Sequence, residues 1–272
     1  MDVTREKHEW RASPITVPGT VGLTRLTQVT ETLPLTGERT APGIWHENYW
    51  FARHEAAYRW ITAQLPIERT GRILDAGCGE GYGAELLRLA GASSVTGLDY
   101  EDTTLRHVRR VYPQTNTVRG NLVQTPFADD AFTMVTSLQT IEHLWEQPRF
   151  VSECARILRP GGTLAVSTPN RLTFPSGNWY HTRELTGAEF AELLEPHFEI
   201  TYTLGLHHGV RLTSWEERYG SCVDAQLATG YADWDDELAD LVRGTTYTDF
   251  EIRPGDLDES LDLLLVATPT GG

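Results

Sequence analysis

Basic residues are scarce in this chain of 272 residues: Lys and Arg number 23 against 38 Asp and Glu, for a formal net charge of -15. That balance argues against a nucleic-acid partner, because phosphate binding draws on a surplus of Lys and Arg. The Arg109-Arg110 pair falls on a predicted exposed helix and reads as a solvated face. Cysteine is scarce too. Cys78, Cys154 and Cys222 have neither an even count nor metal-ligand spacing, so a reducing cytoplasm is the expected location. No uncharged apolar run reaches about 18 residues, so no membrane span is expected. Residues 1–20 do not read as a signal peptide, because Arg5, Glu6, Lys7, His8 and Glu9 interrupt them and no apolar stretch follows. There is no repeat and no long low-complexity tract. The length fits one α/β domain with additions.

What the chain does have is a glycine turn in a telling place. In Arg72-Ile-Leu-Asp-Ala-Gly-Cys-Gly-Glu-Gly-Tyr-Gly-Ala84 an apolar strand, the acidic Asp75 and the glycines directly precede a helical stretch at 84–89, a layout suited to holding a nucleoside. Gly77, Gly79 and Gly81 allow a sharp turn and close approach of a ligand to the backbone. Cys78 lies within the turn, where a small side chain suffices, and is expected beside the bound ligand with Gly77 and Gly79. Asp99 follows by about 20 residues, at the end of a predicted strand over 94–99, where an acidic group accepts hydrogen bonds from ribose hydroxyls. A dinucleotide is the competing ligand, and two residues count against it. Tyr82 stands where that pattern wants Gly or Ala, and Asp75 would repel a pyrophosphate in a poorly hydrated cleft. A cofactor without phosphates fits better, and no nicotinamide cofactor is expected.

These residues resemble the first motif of class I S-adenosylmethionine-dependent methyltransferases, in which the acidic residue before the glycines lies near the cationic methionine part of the cofactor. Further elements follow in the family's order. Gly120-Asn121-Leu122 ends a third strand, 132–138 reads as a fourth, and 163–168 as an apolar fifth after the helix stop at Arg156-Ile-Leu-Arg-Pro-Gly-Gly162. The resemblance assigns Asn121 and the Leu122 backbone to the adenine amino group, and Tyr100 and Gln139 are also expected to bind the cofactor. It implies a Rossmann-like, seven-stranded sheet with helices on both faces and a helical cover over the acceptor site. Ligands in such sheets bind outside the carboxyl ends of the strands, so Asp75, Asp99, Asn121, Gln139 and Asn170 are expected to converge on one crevice. Strands at 199–206 and 261–268 would form a terminal antiparallel hairpin interrupted by an insertion at 207–260, with helices at 214–230 and 235–243 over the acceptor.

Residues 1–40 read as a flexible arm and residues 41–272 as the domain. Within it, the aromatic stretch 41–65 has helical period, with Trp50, His54 and Tyr58 on one stripe. It is either a core helix or a lid closing over the cofactor, where aromatic faces would attract a sulfonium.

Methyl transfer from a sulfonium is an in-line displacement that neutralises charge, so it needs aim and a deprotonated nucleophile more than an oxyanion hole. His143, just beyond the fourth strand, is the candidate base, since an imidazole with an ordinary pKa of about 6.5 accepts a proton at neutral pH. Related O-methyltransferases of quinone precursors carry Glu-x-x-Glu-His here and bind magnesium. This chain has Gln139-Thr-Ile-Glu142-His143, with an amide replacing one carboxylate, which weakens the case for Mg2+ without removing it. Glu142 and His143 would be its neighbours.

A narrower similarity spans residue 35 to the C-terminus. It runs through Leu35-Thr-Gly-Glu-Arg-Thr40, Glu47-Asn-Tyr-Trp-Phe51, Ile141-Glu-His-Leu-Trp145, Ser167-Thr-Pro-Asn-Arg171, His181-Thr-Arg-Glu-Leu185, His208-Gly and Asp258-Glu-Ser-Leu-Asp-Leu263. These segments resemble actinobacterial sugar methyltransferases of methylmannose polysaccharide synthesis. The resemblance implies O-methylation of a small mannoside, at its anomeric hydroxyl, with Trp50, His181, Arg183, His208 and Arg211 as acceptor contacts. A natural-product or quinone-like phenol as acceptor, and a non-catalytic cofactor-binding protein, remain open. A homodimer is compatible with the chain.

Overall fold

The computed structural model describes Leu33, residues 39–175 and residues 178–270. The expected arm lies almost wholly outside these residues. Eight strands form one sheet: β1 (Arg72–Ala76), β2 (Ser94–Asp99), β3 (Asn116–Arg119), β4 (Phe132–Leu138), β5 (Leu158–Pro169), β6 (Phe198–His208), β7 (Phe250–Arg253) and β8 (Asp262–Pro269). Their spatial order is β3-β2-β1-β4-β5-β8-β6-β7. The first five are parallel, whereas β8 pairs antiparallel with both β5 and β6. The central strands are nearly continuous apolar runs, as expected of strands covered on both faces. Ile73 and Leu74, Met134 and Val135, and Leu263 to Ala267 are all buried.

One face is covered by α1 (Asn48–Gln64), α2 (Tyr82–Leu89) and α3 (Asp102–Val111), which pack Ile61, Leu87 and Leu105 into a common core. The other is covered by α4 (Gln147–Ile157) and α5 (Gly187–Leu194), through Phe150 and Phe190. After β3 the chain crosses back to β4 on the other side of β1. The topological switch point therefore lies between the carboxyl ends of β1 and β4, where open α/β sheets bind ligands.

The expected count of seven strands is corrected to eight, and the reason lies in the insertion. The sequence predicts helices alone there, but its Phe250-Glu-Ile-Arg segment forms β7 antiparallel to β6, with Gly205 opposite Arg253 and His208 opposite Phe250. Phe250 is buried in a third core with Leu206, Leu212 and Val242. The short strand also covers the edge that β6 would otherwise expose. The expected helix at 214–230 is two helices, α6 (Val210–Tyr219) and α7 (Cys222–Ala228), separated at Gly220; α8 (Asp236–Gly244) follows.

Helix α1 is a packed element in this structure. Tyr49, Phe51, Ala52, Tyr58, Trp60 and Ile61 are buried along it. Arg53 fastens it to β8: Nε donates to Asp262 Oδ2 at 2.7 Å, and Nη2 to Asp262 Oδ1 at 2.5 Å and to the Leu261 carbonyl at 2.8 Å. Its contact with α2 is so close that a Cβ on Gly83 would lie 2.1 Å from the Tyr58 ring.

Candidate functional site

The turn after β1 is held in place from three directions. Gly77 has φ +81°, and a Cβ there would lie 2.5 Å from the Thr140 side chain, so only glycine lets the β1 turn close against the turn after β4. The Gly79 N–H donates to Asp99 Oδ2 at 3.2 Å, which ties the turn to the end of β2, and Asp99 Oδ1 accepts from the Glu101 N–H at 2.9 Å. Glu80, buried beside the turn, pairs with His107 of α3 at 2.6 Å and accepts from the Tyr112 hydroxyl at 3.0 Å. Cys78 is buried, and burial pushes its thiol well above the usual range, which removes it as a nucleophile.

Asp75 closes the inner end of the crevice. Its Oδ1 accepts from the Tyr58 hydroxyl at 3.0 Å and from Thr136 at 2.9 Å, while the buried Oδ2 has no hydrogen-bond partner. Burial pushes its pKa up to about 6, against the hydrogen bonds from Thr136 and Tyr58 that favour the charged form. Asp99 is likewise raised by burial. Two carboxylates at the ends of adjacent strands, one with an orphaned oxygen, make a site that could hold a cation.

Of the other expected cofactor residues, Tyr100 is exposed and follows β2, while Asn121 and Leu122 follow β3. Asn121 Oδ1 accepts from the Val123 N–H at 3.1 Å. Gln139 sits at the end of β4 with φ +50°, an uncommon conformation for a residue with a side chain and one that clusters at functional sites. Its backbone and side-chain amides both donate to Ser167 Oγ at 3.2 Å. Asn170 is a correction. It is fully buried, and its amide donates to the carbonyls of Leu257 at 2.8 Å and Ser260 at 2.9 Å, so it anchors the chain before β8 instead of joining the crevice.

A cavity of about 440 Å³ opens beside Gln139. Trp50, Arg53 and His54 line it from α1, and Glu142 and His143 from the turn after β4. Phe174, Pro175, Asn178, Trp179, Tyr180 and His181 line it from the loop after β5, and Arg39, Thr40, Glu47, Pro169 and Leu227 complete the wall. The loop is tied to the β4 turn, because Thr182 donates both its N–H, at 2.7 Å, and its hydroxyl, at 3.0 Å, to the Glu142 carbonyl.

His143 contacts the Tyr180 carbonyl through Nδ1 at 3.0 Å. A carbonyl only accepts, so Nδ1 carries the proton and the lone pair of the neutral ring is on Nε2. Nε2 lies 3.9 Å from Glu142 Oε1. Glu142 is buried, accepts from the Thr168 hydroxyl at 3.1 Å, and is pushed by burial up to about 8. The His54 ring is driven down to about 4 by burial and is neutral throughout the physiological range.

Glu142, His143 and His181 each offer a ligand atom within 4.8 Å of the others. Magnesium does not fit this set. A hard cation takes oxygen ligands in an octahedron, and here one carboxylate faces two imidazoles. His181, moreover, has Nδ1 on Glu184 at 2.7 Å and Nε2 on the Asn178 amide at 3.0 Å.

The structure thus gathers Trp50, Gln139, Glu142, His143 and His181 around one cavity, and it leaves three expected acceptor contacts outside. Arg183 is largely exposed beside Glu189. Arg211 is held by Asp249 at 2.7 Å and by Thr245. His208 lies between Tyr49 and Glu216, turned into the insertion's own core. Ion pairs and hydrogen bonds to other partners hold all three elsewhere. His54 and Arg53 are lining residues not singled out from the sequence, although His54 shares the stripe of Trp50 and Tyr58.

Comparison with known proteins agrees with this geometry. Residues 74–166 match the methyltransferase domain family. A probable S-adenosylmethionine-dependent methyltransferase of Mycolicibacterium smegmatis is 48% identical over 248 residues, covering 86% of this chain and 95% of that protein. One of Mycobacterium tuberculosis is 45% identical over 249 residues, covering 86% and 89%. An S-adenosylmethionine-dependent methyltransferase of Mesorhizobium loti shares the fold, with a TM-score of 0.53 at 22% identity over 78% of this chain and 97% of that one. The chain belongs to the S-adenosylmethionine-dependent methyltransferases. The crevice at the β1–β4 switch point suits that cofactor, because its cationic ammonium and sulfonium need no phosphate cradle and complement the acidic Asp75. Among the described residues no helix is long and apolar enough to cross a membrane.

Proposed function

We propose that the chain transfers the cofactor's methyl group to a hydroxyl of a small neutral acceptor, a mannoside or another sugar, held in the 440 Å³ cavity. The observation that carries this reading is the Nδ1 contact of His143 with the Tyr180 carbonyl, which leaves Nε2 as the proton acceptor at the cavity wall. The acceptor oxygen attacks the methyl carbon, the carbon–sulfur bond breaks with its electron pair going to sulfur, and the hydroxyl proton passes to His143 Nε2. Holding the two reactants in line supplies much of the rate, and the base contributes about 10²- to 10⁴-fold. Polar groups on the wall, among them His54 and Gln139, suit an acceptor with hydroxyls, while Trp50 offers an apolar face for a sugar ring. The anomeric hydroxyl is the position that the resemblance to sugar methyltransferases favours.

A phenolic acceptor is the second reading. The wall also carries Phe174, Pro169, Pro175 and Leu227, and neither Arg183 nor Arg211 reaches it. Transfer of labelled methyl from S-adenosylmethionine to a panel of mannosides and phenols separates the two. Label on mannosides is the expected result. Label on phenols alone would replace the acceptor class and keep the base, and cofactor binding with no transfer to either would reduce the chain to a cofactor-binding protein.

A further inference from the structure

We infer that Glu80 is a positioning residue for cofactor binding: through His107 and Tyr112 it makes helix α3 a splint that fixes the glycine turn against Asp99. The inference rests on the assignment of the switch-point crevice to the cofactor and is independent of the acceptor.

The two halves of the turn are fastened differently. In the first half the Gly77 and Cys78 N–H groups both donate to the Leu98 carbonyl of β2, at 2.9 and 3.0 Å. From Gly79 onward the bonds to β2 and α3 are made with side chains. The Gly79 N–H reaches Asp99 Oδ2 at 3.2 Å. Glu80 turns its carboxylate onto α3, with Oε1 on His107 Nε2 at 2.6 Å and Oε2 on the Tyr112 hydroxyl at 3.0 Å. The turn also rests closely on that helix, since a Cβ on Gly81 would lie 2.8 Å from Val108.

Helix α3 reaches the other side of the crevice as well. Its N-cap is Glu101, whose N–H holds Asp99 Oδ1 at 2.9 Å, and its C-cap is Tyr112. One rigid element therefore grips Asp99 at its start and the turn farther along. Glu80 is the side chain through which the turn receives that grip.

A buried acid is a costly way to hold a turn. The Glu80 side chain is 0% exposed and that of His107 2%. Burial pushes the Glu80 carboxyl up, against the bonds from His107 and Tyr112 that favour its charged form. An apolar cluster of similar volume is often as stable, whereas two hydrogen bonds at fixed angles also set direction. What they direct is the Glu80 backbone, and with it the adjoining Gly79 N–H that faces Asp99.

The test uses the full chain and titration calorimetry with S-adenosylhomocysteine, so it needs no acceptor. Glu80→Ala should raise the dissociation constant at least about 10-fold, since a displacement of about 1 Å can cost about 10²-fold. Glu80→Gln keeps groups for both partners and should stay within about threefold of the wild type. Should Glu80→Ala not fold, Tyr112→Phe removes one of the two bonds with no lost volume and should raise the constant several-fold. Leu194→Ala, in the core on the opposite face of the sheet, loses stability without touching α3 and should bind as the wild type does. In an Asp99→Ala background, Glu80→Ala should add less than about twofold, because residues acting as one unit are not additive.

Wild-type affinity in Glu80→Ala, no rescue by Glu80→Gln, full additivity with Asp99→Ala, or an equal loss in Leu194→Ala would each overturn the inference and leave the cluster a part of the fold alone. Unchanged affinity in Asp99→Ala would remove the crevice from the cofactor and this inference with it. A loss in Asp99→Ala with none in Glu80→Ala would reject the splint and keep the crevice.

Discussion

Tyr58 of α1 donates its phenolic hydrogen to Asp75 at the end of β1 over 3.0 Å, so the helix that precedes the sheet completes the acidic end of the crevice at the β1–β4 switch point. The bond satisfies one carboxylate oxygen and leaves the other, buried Oδ2, without a partner. An acid kept this way is unfavourable in the empty protein and becomes useful when a cation arrives.

Asp75→Asn should therefore separate stability from function. Burial raises the pKa of Asp75 from 3.8 to about 6, so the folded state holds its proton more tightly than the unfolded chain does. Its contribution to stability falls as pH rises from about 4 to about 6 and is flat above that window. The amide removes this penalty, so the variant's melting temperature at neutral pH should be at or above the wild type's. Cofactor affinity should fall about 10- to 100-fold, the loss expected of a charged hydrogen bond. Titration calorimetry should also find wild-type affinity weakening below pH about 6, and a variant without that dependence.

Glu142→Gln addresses the cavity floor in the same terms. The carboxyl is raised from 4.5 to about 8 by burial, so the wild-type protein should lose stability as pH climbs between those values. Denaturant unfolding across that range should show the slope in the wild type and a shallower one in Glu142→Gln. Equal slopes would mean that Glu142 is solvated in solution.

Arg53 and Asp262 form a buried pair, and removing one partner strands the other. Arg53→Met should cost about 3 to 5 kcal/mol, and adding Asp262→Leu should return much of that loss. Chemical denaturation of the two variants measures it. A single variant as stable as the wild type would show that α1 is held by its apolar face alone.

The central sheet and the glycine turn after β1 were legible because local pattern dictates them. The apolar run ending in Asp75, the glycines behind it and Asp99 one strand later can be read from spacing alone. The stripe of Trp50, His54 and Tyr58 marked α1, and two of its three members do line the cavity. The insertion was read less well. The Phe250–Arg253 strand is only 4 residues long and exists because β6 offers an edge to pair with, which no local period reveals. His208, Arg211 and Arg183 occupy suggestive places in the chain, but partners remote in sequence or on the next helix set where they point. Asp249 holds Arg211 from 38 residues away, and Tyr49 reaches His208 from 159. Asn170 was assigned to the crevice by its place after β5, whereas the loop before β8 satisfies its amide.

The most direct measurement compares turnover with cofactor affinity in His143→Ala, using labelled S-adenosylmethionine and the best acceptor from the panel. With Nδ1 committed to the Tyr180 carbonyl, Nε2 is the nitrogen placed to take the acceptor's proton. Turnover should fall about 10²- to 10⁴-fold while the cofactor dissociation constant stays within about twofold. Turnover that survives the change would assign the proton to another group and leave His143 as a wall of the cavity.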